Sequence, residues 1–280
     1  MRTSLEQRIC RAVLTGFFCA ITMVQAQSAV PDTLSDARPI LPMAEPSRYP
    51  RRIDGVQRLV ALRYPMATDR VDHFQPAVPE LVAFLGKMDL ANTRFVHEEH
   101  SLDSFAFDDP LLLVLTGNRA VLRMSDRQKK LLGRYLKGGG LLFAEDVRDL
   151  GLRDAAIDAG RPGTPFDRLL KALMAHPSVL GPGGEAWRPV TRDHDLLHSF
   201  FQFPDGPPLS GTAGGRPGEA RVTELEMLEY RGRVVVVFSD LNISFAWGVP
   251  DAIGRTRALQ FGANLVIFAL AQYATVGSAH

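Results

Sequence analysis

The sequence predicts an α/β fold built on a doubly wound, mostly parallel sheet. Apolar strand candidates alternate with amphipathic helix candidates through the first half of the chain, and several of the connections between them are short. Two strand candidates, Leu111–Leu115 and Leu141–Ala144, are apolar on both faces, as expected where helices cover both sides of a parallel sheet. Strands and helices that alternate in this way favour βαβ units.

Hydrophobic periodicity gives the order of the elements. Ser125 is the predicted N-cap of a helix that Gly138–Gly140 ends, since glycine takes a positive φ without steric cost. Arg231-Gly232 separates the last two strands, as in a β-hairpin. The predicted strands are Val56–Tyr64, Thr93–Val96, Leu111–Leu115, Leu141–Ala144, Val222–Tyr230 and Val234–Phe238, and the other predicted helices are Pro79–Leu90, Phe166–Met174 and Ala252–Tyr273.

Residues 1–26 have the pattern of a secretory signal peptide. Arg2, Arg8 and Arg11 precede an apolar run from Ala12 to Val24, and small residues near the end of the pattern predict cleavage after Ala26. The run is shorter than the roughly 20 residues that cross a bilayer, which makes a retained anchor the weaker alternative. We therefore expect an exported, periplasmic protein with no transmembrane segment after cleavage.

The rest of the chain divides by composition. Residues 27–52 are predicted to form a proline-rich linker, residues 53–275 a single α/β domain and residues 276–280 a tail. The two cysteines, Cys10 and Cys19, lie in the leader, so the mature protein would have no disulfide, thiolate metal site or cysteine nucleophile. Removing three arginines and one glutamate with the leader changes the net charge from +1 to −1, which gives no general electrostatic reason to bind nucleic acid or an anionic membrane.

Carboxylates follow two of the predicted strands. Glu145 and Asp146 come after Leu141–Ala144, and Asp240 comes after Val234–Phe238. Open α/β sheets bind ligands at the carboxyl ends of their strands, where such groups could act as acid and base or bind a cation. A capping or hydrogen-bonding function is the alternative. Asp146 is the stronger candidate of the adjacent pair, and Asp240 shares its crevice only if its strand is parallel to the sheet.

A second group of candidates contains histidine, and three further residues are possible pocket linings. His194 and His198 would share a face at i and i+4 if their segment were helical, where they could hold a metal ion. They could equally line a cavity or have a purely structural function, and we predict neither a metal nor a cofactor. Asn264 is expected to form hydrogen bonds inside the fold. The possible pocket linings are Asn118, Arg119 and Trp247.

Five segments, taken in order, resemble a bacterial domain-of-unknown-function family, number 4159, over roughly Val56 to Tyr273. The resemblance implies a flavodoxin-like sheet of the class I glutamine amidotransferase-like superfamily and brings no established activity. Members of the family are often encoded beside AAA-type ATPases and von Willebrand A-type proteins, which implies a membrane-associated protein assembly as the partner. The segments are LTGN at 115–118, LKGGGLLFAED at 136–146, DHDLLHSFF at 193–201, GRVVV at 232–236 with Asp240-Leu241 and Trp247, and GANLV at 262–266.

Nucleophilic catalysis of the familiar kinds does not fit this sequence. Glutamine amidotransferases use a cysteine at a tight strand-to-helix turn, and the mature chain would have none. Glu145-Asp146 stands at the corresponding position, and no G-x-S-x-G motif is present. We therefore expect a non-catalytic binding or assembly module. The alternative is a hydrolase-like or metal-dependent enzyme that uses Asp146, His194 or His198, and Asp240.

Overall fold

A seven-stranded sheet forms the middle layer of the protein. The structure is a computed structural model that describes residues 55–64, 76–88, 90, 93–101, 110–117, 122–147, 165–208 and 225–277, with residues 165 and 273–277 described by their backbone alone. All of these residues belong to one compact unit, Pro39–His280.

The strand order is β2-β1-β3-β4-β7-β6-β5. Neighbouring strands from β2 to β7 are parallel, whereas β6 is antiparallel to β7 and β5 is antiparallel to β6. The predicted α/β class with a mostly parallel sheet is confirmed, and the topology is consistent with a flavodoxin-like fold. The strands are β1 (Gly55–Arg63), β2 (Thr93–Ser101), β3 (Leu112–Gly117), β4 (Leu141–Asp146), β5 (Trp187–Pro189), β6 (Glu226–Tyr230) and β7 (Arg233–Ser239).

Helices cover the sheet on both sides, each over its own apolar cluster. We call the side covered by α1, α4 and α5 the front face, and the side covered by α2 and α3 the back face. Two-sided burial explains why the central strands β3 and β4 are apolar along almost their whole length. The helices are α1 (Ala77–Leu85), α2 (Asp126–Gly138), α3 (Pro165–Ala175), α4 (Ile243–Gly248) and α5 (Arg255–Gly277).

Side chains of β4 alternate between the two faces. Leu141 and Phe143 belong to the front cluster, and Leu142 and Ala144 belong to the back cluster. The strand continues to Asp146, two residues beyond the predicted end, because its last two residues also pair with β3. The alternation therefore directs the side chain of Glu145 to the front face and that of Asp146 to the back face.

The boundaries of other elements also differ from the predictions, and α1 ends at Leu85 instead of Leu90. Strand β2 extends to Ser101 instead of ending at Val96, because it is an edge strand on which charged side chains remain accessible to water. Helix α5 begins at Arg255, after a turn at Ala252, and continues to Gly277. Strand β6 begins at Glu226, and residues 222–224 of the predicted strand lie outside the described residues.

Both predicted ends of α2 are confirmed. Ser125 forms a capping box with Gln128, in which Ser125 Oγ accepts from Gln128 N at 3.2 Å and Gln128 Oε1 accepts from Ser125 N at 2.7 Å. At the other end Gly139 has a φ of 120°, a value that L side chains rarely adopt. Arg233 Nη2 of β7 donates to Leu136 O at 3.4 Å there, which attaches the helix end to the sheet.

Gly133 allows α2 to pack closely against the segment that follows α3. A Cβ atom at this position would overlap Ser178 O and lie 2.8 Å from Val179 Cα, and both are backbone atoms. Glycine inside a helix usually destabilises it by about 1 kcal/mol relative to alanine. The close backbone contact therefore explains why glycine occupies this position.

We expect Gly133→Ala to lower the free energy of unfolding by about 2 kcal/mol, because the new methyl group overpacks a rigid backbone contact. Urea denaturation followed by circular dichroism measures the change. Gly138→Ala is the matched control, since a Cβ atom at Gly138 meets nothing within 4 Å. The control should be neutral or stabilise the protein by up to about 1 kcal/mol. Equal effects of the two substitutions would contradict the packing argument.

Candidate functional site

The carboxyl ends of β4 and β7 lie side by side. The two strands are parallel, and their register pairs Glu145 with Ser239. Continuing this register by one residue places Asp240 opposite Asp146. The sequence alone did not show whether the strand before Asp240 is parallel to the rest of the sheet. In the structure this strand, β7, is antiparallel to β6 but parallel to β4.

Glu145 connects this edge of the sheet to α4. One carboxylate oxygen, Oε1, accepts hydrogen bonds from Ser239 Oγ at 2.7 Å and from Ile243 N at 2.6 Å. The other, Oε2, accepts from Ser244 N at 2.5 Å and also from Ser244 Oγ. Both oxygens are therefore bonded to donors of the protein itself, and the side chain is completely buried.

A tight turn brings these donors to Glu145. Asn242 has a φ of 56° and a ψ of 36°, a left-handed conformation that asparagine tolerates better than most residues. Ser239 Oγ accepts from Leu241 N at 3.1 Å within the same turn. The backbone N–H groups of the first helical turn have no partner inside the helix. Glu145 supplies that partner for two of them, so its carboxylate caps α4 from a neighbouring strand.

Burial raises the pKa of Glu145 to about 7, although the hydrogen bonds to its carboxylate act in the opposite direction. The buried environment penalises the charged form, and the two serines and two backbone amides favour it. Such a pKa is typical of a general acid or base in an active site. At Glu145, however, the same environment also serves to hold α4 against the sheet.

Asp146 lies on the back face, where the neighbouring side chains are large. Its partner in β3 is Gly117, and a Cβ atom on Gly117 would overlap the ring of Phe166. Tyr64 also contacts this position, and its hydroxyl donates to Thr116 O at 3.2 Å. Asp146 itself is completely buried. Asp146 therefore lies on the back face beside Gly117, where Phe166 and Tyr64 pack closely against the strand.

The helical segment on which His194 and His198 would share a face is not what the structure shows. The segment between them, Asp195–Leu197, is a single 3-10 turn. His194 precedes it as the N-cap, and its Nδ1 accepts from Leu196 N at 3.2 Å. Its ring packs 5.7 Å from that of Phe268, and burial lowers its pKa. A short turn between two loops replaces the helix that the i, i+4 spacing requires.

His198 takes part in the closure of the same loop. Its Nδ1 lies 2.8 Å from Gln202 Oε1, and its Nε2 lies 2.7 Å from Arg192 O. Leu196 and Leu197, which belong to the turn, are buried in the front cluster. The ring of His198 therefore joins residues of its own loop, and the loop packs on the face of the sheet opposite to Asp146.

Asn264 of α5 holds this loop in place, and its expected function inside the fold is confirmed. Its Oδ1 accepts from Phe200 N at 3.2 Å and Phe201 N at 2.7 Å. Its Nδ2 donates to Leu196 O at 3.1 Å and Phe201 O at 2.8 Å. One buried side chain thus forms four hydrogen bonds with the backbone of the loop.

Of the remaining candidates, the structure describes Trp247. Trp247 is completely buried in the front cluster, where its ring packs 5.4 Å from that of Phe143 and its Nε1 donates to Ala258 O at 2.7 Å. Asn118 and Arg119 lie outside the described residues. Within the ranges that the structure describes, no group of three or more His, Cys, Asp or Glu side chains is arranged to hold a metal ion.

The structure also contains a polar cluster that the sequence analysis missed. Lys171 Nζ of α3 lies 2.6 Å from Glu226 Oε2 and 3.0 Å from Asp167 Oδ1. The same ammonium lies 5.6 Å from the ring centre of Trp187 and 5.8 Å from that of Phe238. Burial raises the pKa of Asp167 despite its bond to Lys171. The i, i+4 spacing of Asp167 and Lys171 was the available sequence signal, and the partner from β6 had none.

The raised pKa of Glu145 predicts that the free energy of unfolding depends on pH. Its pKa is about 7 in the fold, against an ordinary value of 4.5. The folded protein therefore binds a proton more tightly than the unfolded chain does. The contribution of this group is fully present below pH 4.5 and is lost as the pH rises through 7. At about 1.4 kcal/mol per pH unit, the loss amounts to about 3 kcal/mol.

We expect wild type to lose about 3 kcal/mol more of its free energy of unfolding than Glu145→Gln over this pH range. Urea denaturation at closely spaced pH values measures both curves. Subtracting the curve of the variant removes the contribution of Asp167, whose raised pKa acts in the same direction in both proteins. Parallel curves for the two proteins would show that Glu145 does not titrate in this range.

Comparisons with known proteins locate the chain in one family. A search of curated proteins found no match. The sequence profile described as "Domain of unknown function (DUF4159)" matches residues 58–270, which include most of β1, all the other strands and most of α5. The match covers most of the chain, and it confirms the family that the ordered segments resembled. The chain belongs to the domain-of-unknown-function family DUF4159.

Proposed function

We propose that the protein is an exported, non-catalytic binding or assembly module that lacks the amidotransferase nucleophile. The observation that carries the proposal is the complete use of the Glu145 carboxylate inside the fold. A general base must reach the proton that it abstracts, within hydrogen-bond distance or through one water. Both oxygens of Glu145 are instead bonded to Ser239, Ile243 and Ser244, in a fully buried position.

The proposal includes membership of the class I glutamine amidotransferase-like superfamily. The parallel strand order β2-β1-β3-β4-β7, with helices on both faces, supports it. By that resemblance, the nucleophile of a relative would follow β4. In this chain Glu145 and Asp146 are the last two residues of β4, and Val147 comes next. The residue directly after β4 is therefore a valine, and the carboxylate of Glu145, two residues earlier, stabilises the fold.

Export and a membrane-associated protein partner are also part of the proposal. The basic start, the short apolar run and the small residues before position 27 support export. The resemblance to a family whose members are encoded beside AAA-type ATPases and von Willebrand A-type proteins supports the partner. In the part of the chain that the structure describes, every helix is too short or too polar to cross a bilayer.

A second candidate is a hydrolase-like or metal-dependent enzyme, and one observation favours it. The parallel register of β4 and β7 pairs Glu145 with Ser239, and Asp146 and Asp240 are the next residues of the two segments. The histidines proposed to assist them, His194 and His198, bond within a loop that packs on the other face. Such an enzyme would therefore depend on the two aspartates.

The two candidates differ in what the double variant Asp146→Asn, Asp240→Asn should do. We expect a module to keep its partner, with Kd changed by less than about threefold, or below about 0.7 kcal/mol. The tagged full chain is crosslinked in its native host and purified from the membrane fraction. The captured protein is then purified and titrated against wild type and variant. Asp205→Asn, Asp251→Asn is the control, since both residues are exposed elsewhere and the charge change is the same.

Two results would contradict the module. One is the absence of any reproducible partner for the wild-type chain. The other is a large loss of binding in the Asp146→Asn, Asp240→Asn variant with no loss in the control. Stoichiometric metal in wild type, found by elemental analysis and missing from that variant, would establish the second candidate in its metal-dependent form.

A further inference from the structure

The exposed side of α2 is a stripe of positive charge. Four of its residues, Arg127, Lys130, Arg134 and Lys137, are exposed, and they are spaced 3, 4 and 3 residues apart along the helix. At 3.6 residues per turn, they fall within about 80° of arc and extend over about 15 Å. Arg123, exposed just before the helix, adds a fifth positive charge at this end. We call these five residues the α2 stripe.

Other charges near the helix leave this stripe positive. Asp126 is the single acidic residue of α2, and its carboxylate bonds to Lys129 Nζ at 3.2 Å. The bond to Lys129 is the main reason that the pKa of Asp126 is lowered. At the other end of the helix, Arg233 adds a half-buried guanidinium. The whole chain carries 32 basic and 31 acidic residues, so the stripe is a local concentration rather than an effect of net charge.

The composition of the stripe favours a lipid surface over a protein partner. Specific protein interfaces centre on buried aromatic, arginine and apolar anchors, and they are depleted in lysine. In the described part of the chain, the exposed large hydrophobic side chains are Val56 and Ile253, and neither lies on α2. A bilayer of anionic lipids needs no such anchor, because each lysine or arginine near its surface contributes about 1 kcal/mol.

We propose that the α2 stripe binds the surface of an anionic phospholipid bilayer and turns the back face of the domain towards the membrane. Four charges of the stripe lie on one side of α2. They can therefore approach a flat layer of phosphate groups together, without any change in the fold. This contact is independent of the module's protein partner, and it positions the domain where a membrane-associated assembly would be found.

The test compares the full chain with the variant Arg127→Gln, Lys130→Gln, Arg134→Gln, Lys137→Gln in sedimentation with vesicles. Glutamine is a good helix former, so α2 should remain folded, as thermal melting would show. On vesicles of phosphatidylglycerol and phosphatidylcholine, we expect the variant to lose several hundredfold in partition coefficient, about fivefold per charge. Both proteins carry the same leader, so their difference isolates α2.

A control variant removes the same net charge from other elements: Lys87→Gln, Arg94→Gln, Arg188→Gln and Arg192→Gln, all at exposed positions. It should bind almost as well as wild type, and binding of wild type should weaken as salt screens the attraction. Three results would overturn the proposal. They are equal losses in the two variants, undiminished wild-type binding to phosphatidylcholine alone, and preference of the stripe for double-stranded DNA over vesicles.

Discussion

The buried carboxylate of Glu145 is the interaction on which the front of the molecule depends. It lies on β4, accepts from Ser239 at the end of β7, and accepts from two backbone amides at the start of α4. One side chain of β4 therefore meets residues of two elements that lie more than 90 residues further along the chain. Removing such a group would leave buried donors without partners, and each of these costs about 1–3 kcal/mol. The carboxylate tolerates its dry surroundings because these donors replace the water that it lost on folding.

The rest of the front layer follows from the position of α4. Once Glu145 fixes its first turn, Trp247 lies over Phe143 and donates to Ala258 O, which sets the entry of α5. Arg255 joins this entry to α1 by donating to Glu80 Oε2 at 2.6 Å. Further along α5, Asn264 holds the loop that contains both candidate histidines. Glu145, Trp247 and the two histidines were candidates for a functional site in the sequence. In the structure, hydrogen bonds and packing contacts use these side chains to hold the front layer together.

The sequence allowed good prediction of the features that depend on local pattern. Residues close together in the chain determine these features. They are the strands β3 and β4, which are apolar on both faces, the Ser125 cap, and the end of α2 before Gly139. The partners of Glu145 could not be predicted, because Ser239 and Ser244 are more than 90 residues away and only the strand register brings them together. For the same reason the i, i+4 spacing of His194 and His198 was misleading. Spacing indicates a common face only where the backbone is helical, and tertiary contacts shaped this segment as a turn.

The position of Glu145 also affects what the carboxyl edge of the sheet can bind. The amides at the start of a helix following a strand can bind an external anion, such as a developing oxyanion. In this protein the amides of Ile243 and Ser244 already have an anionic partner from the same chain. A substrate anion at that point would have to displace Glu145 and leave its charge buried without compensation. The domain can more easily interact with other molecules through charges that the fold does not use internally, and α2 presents such charges on the opposite layer.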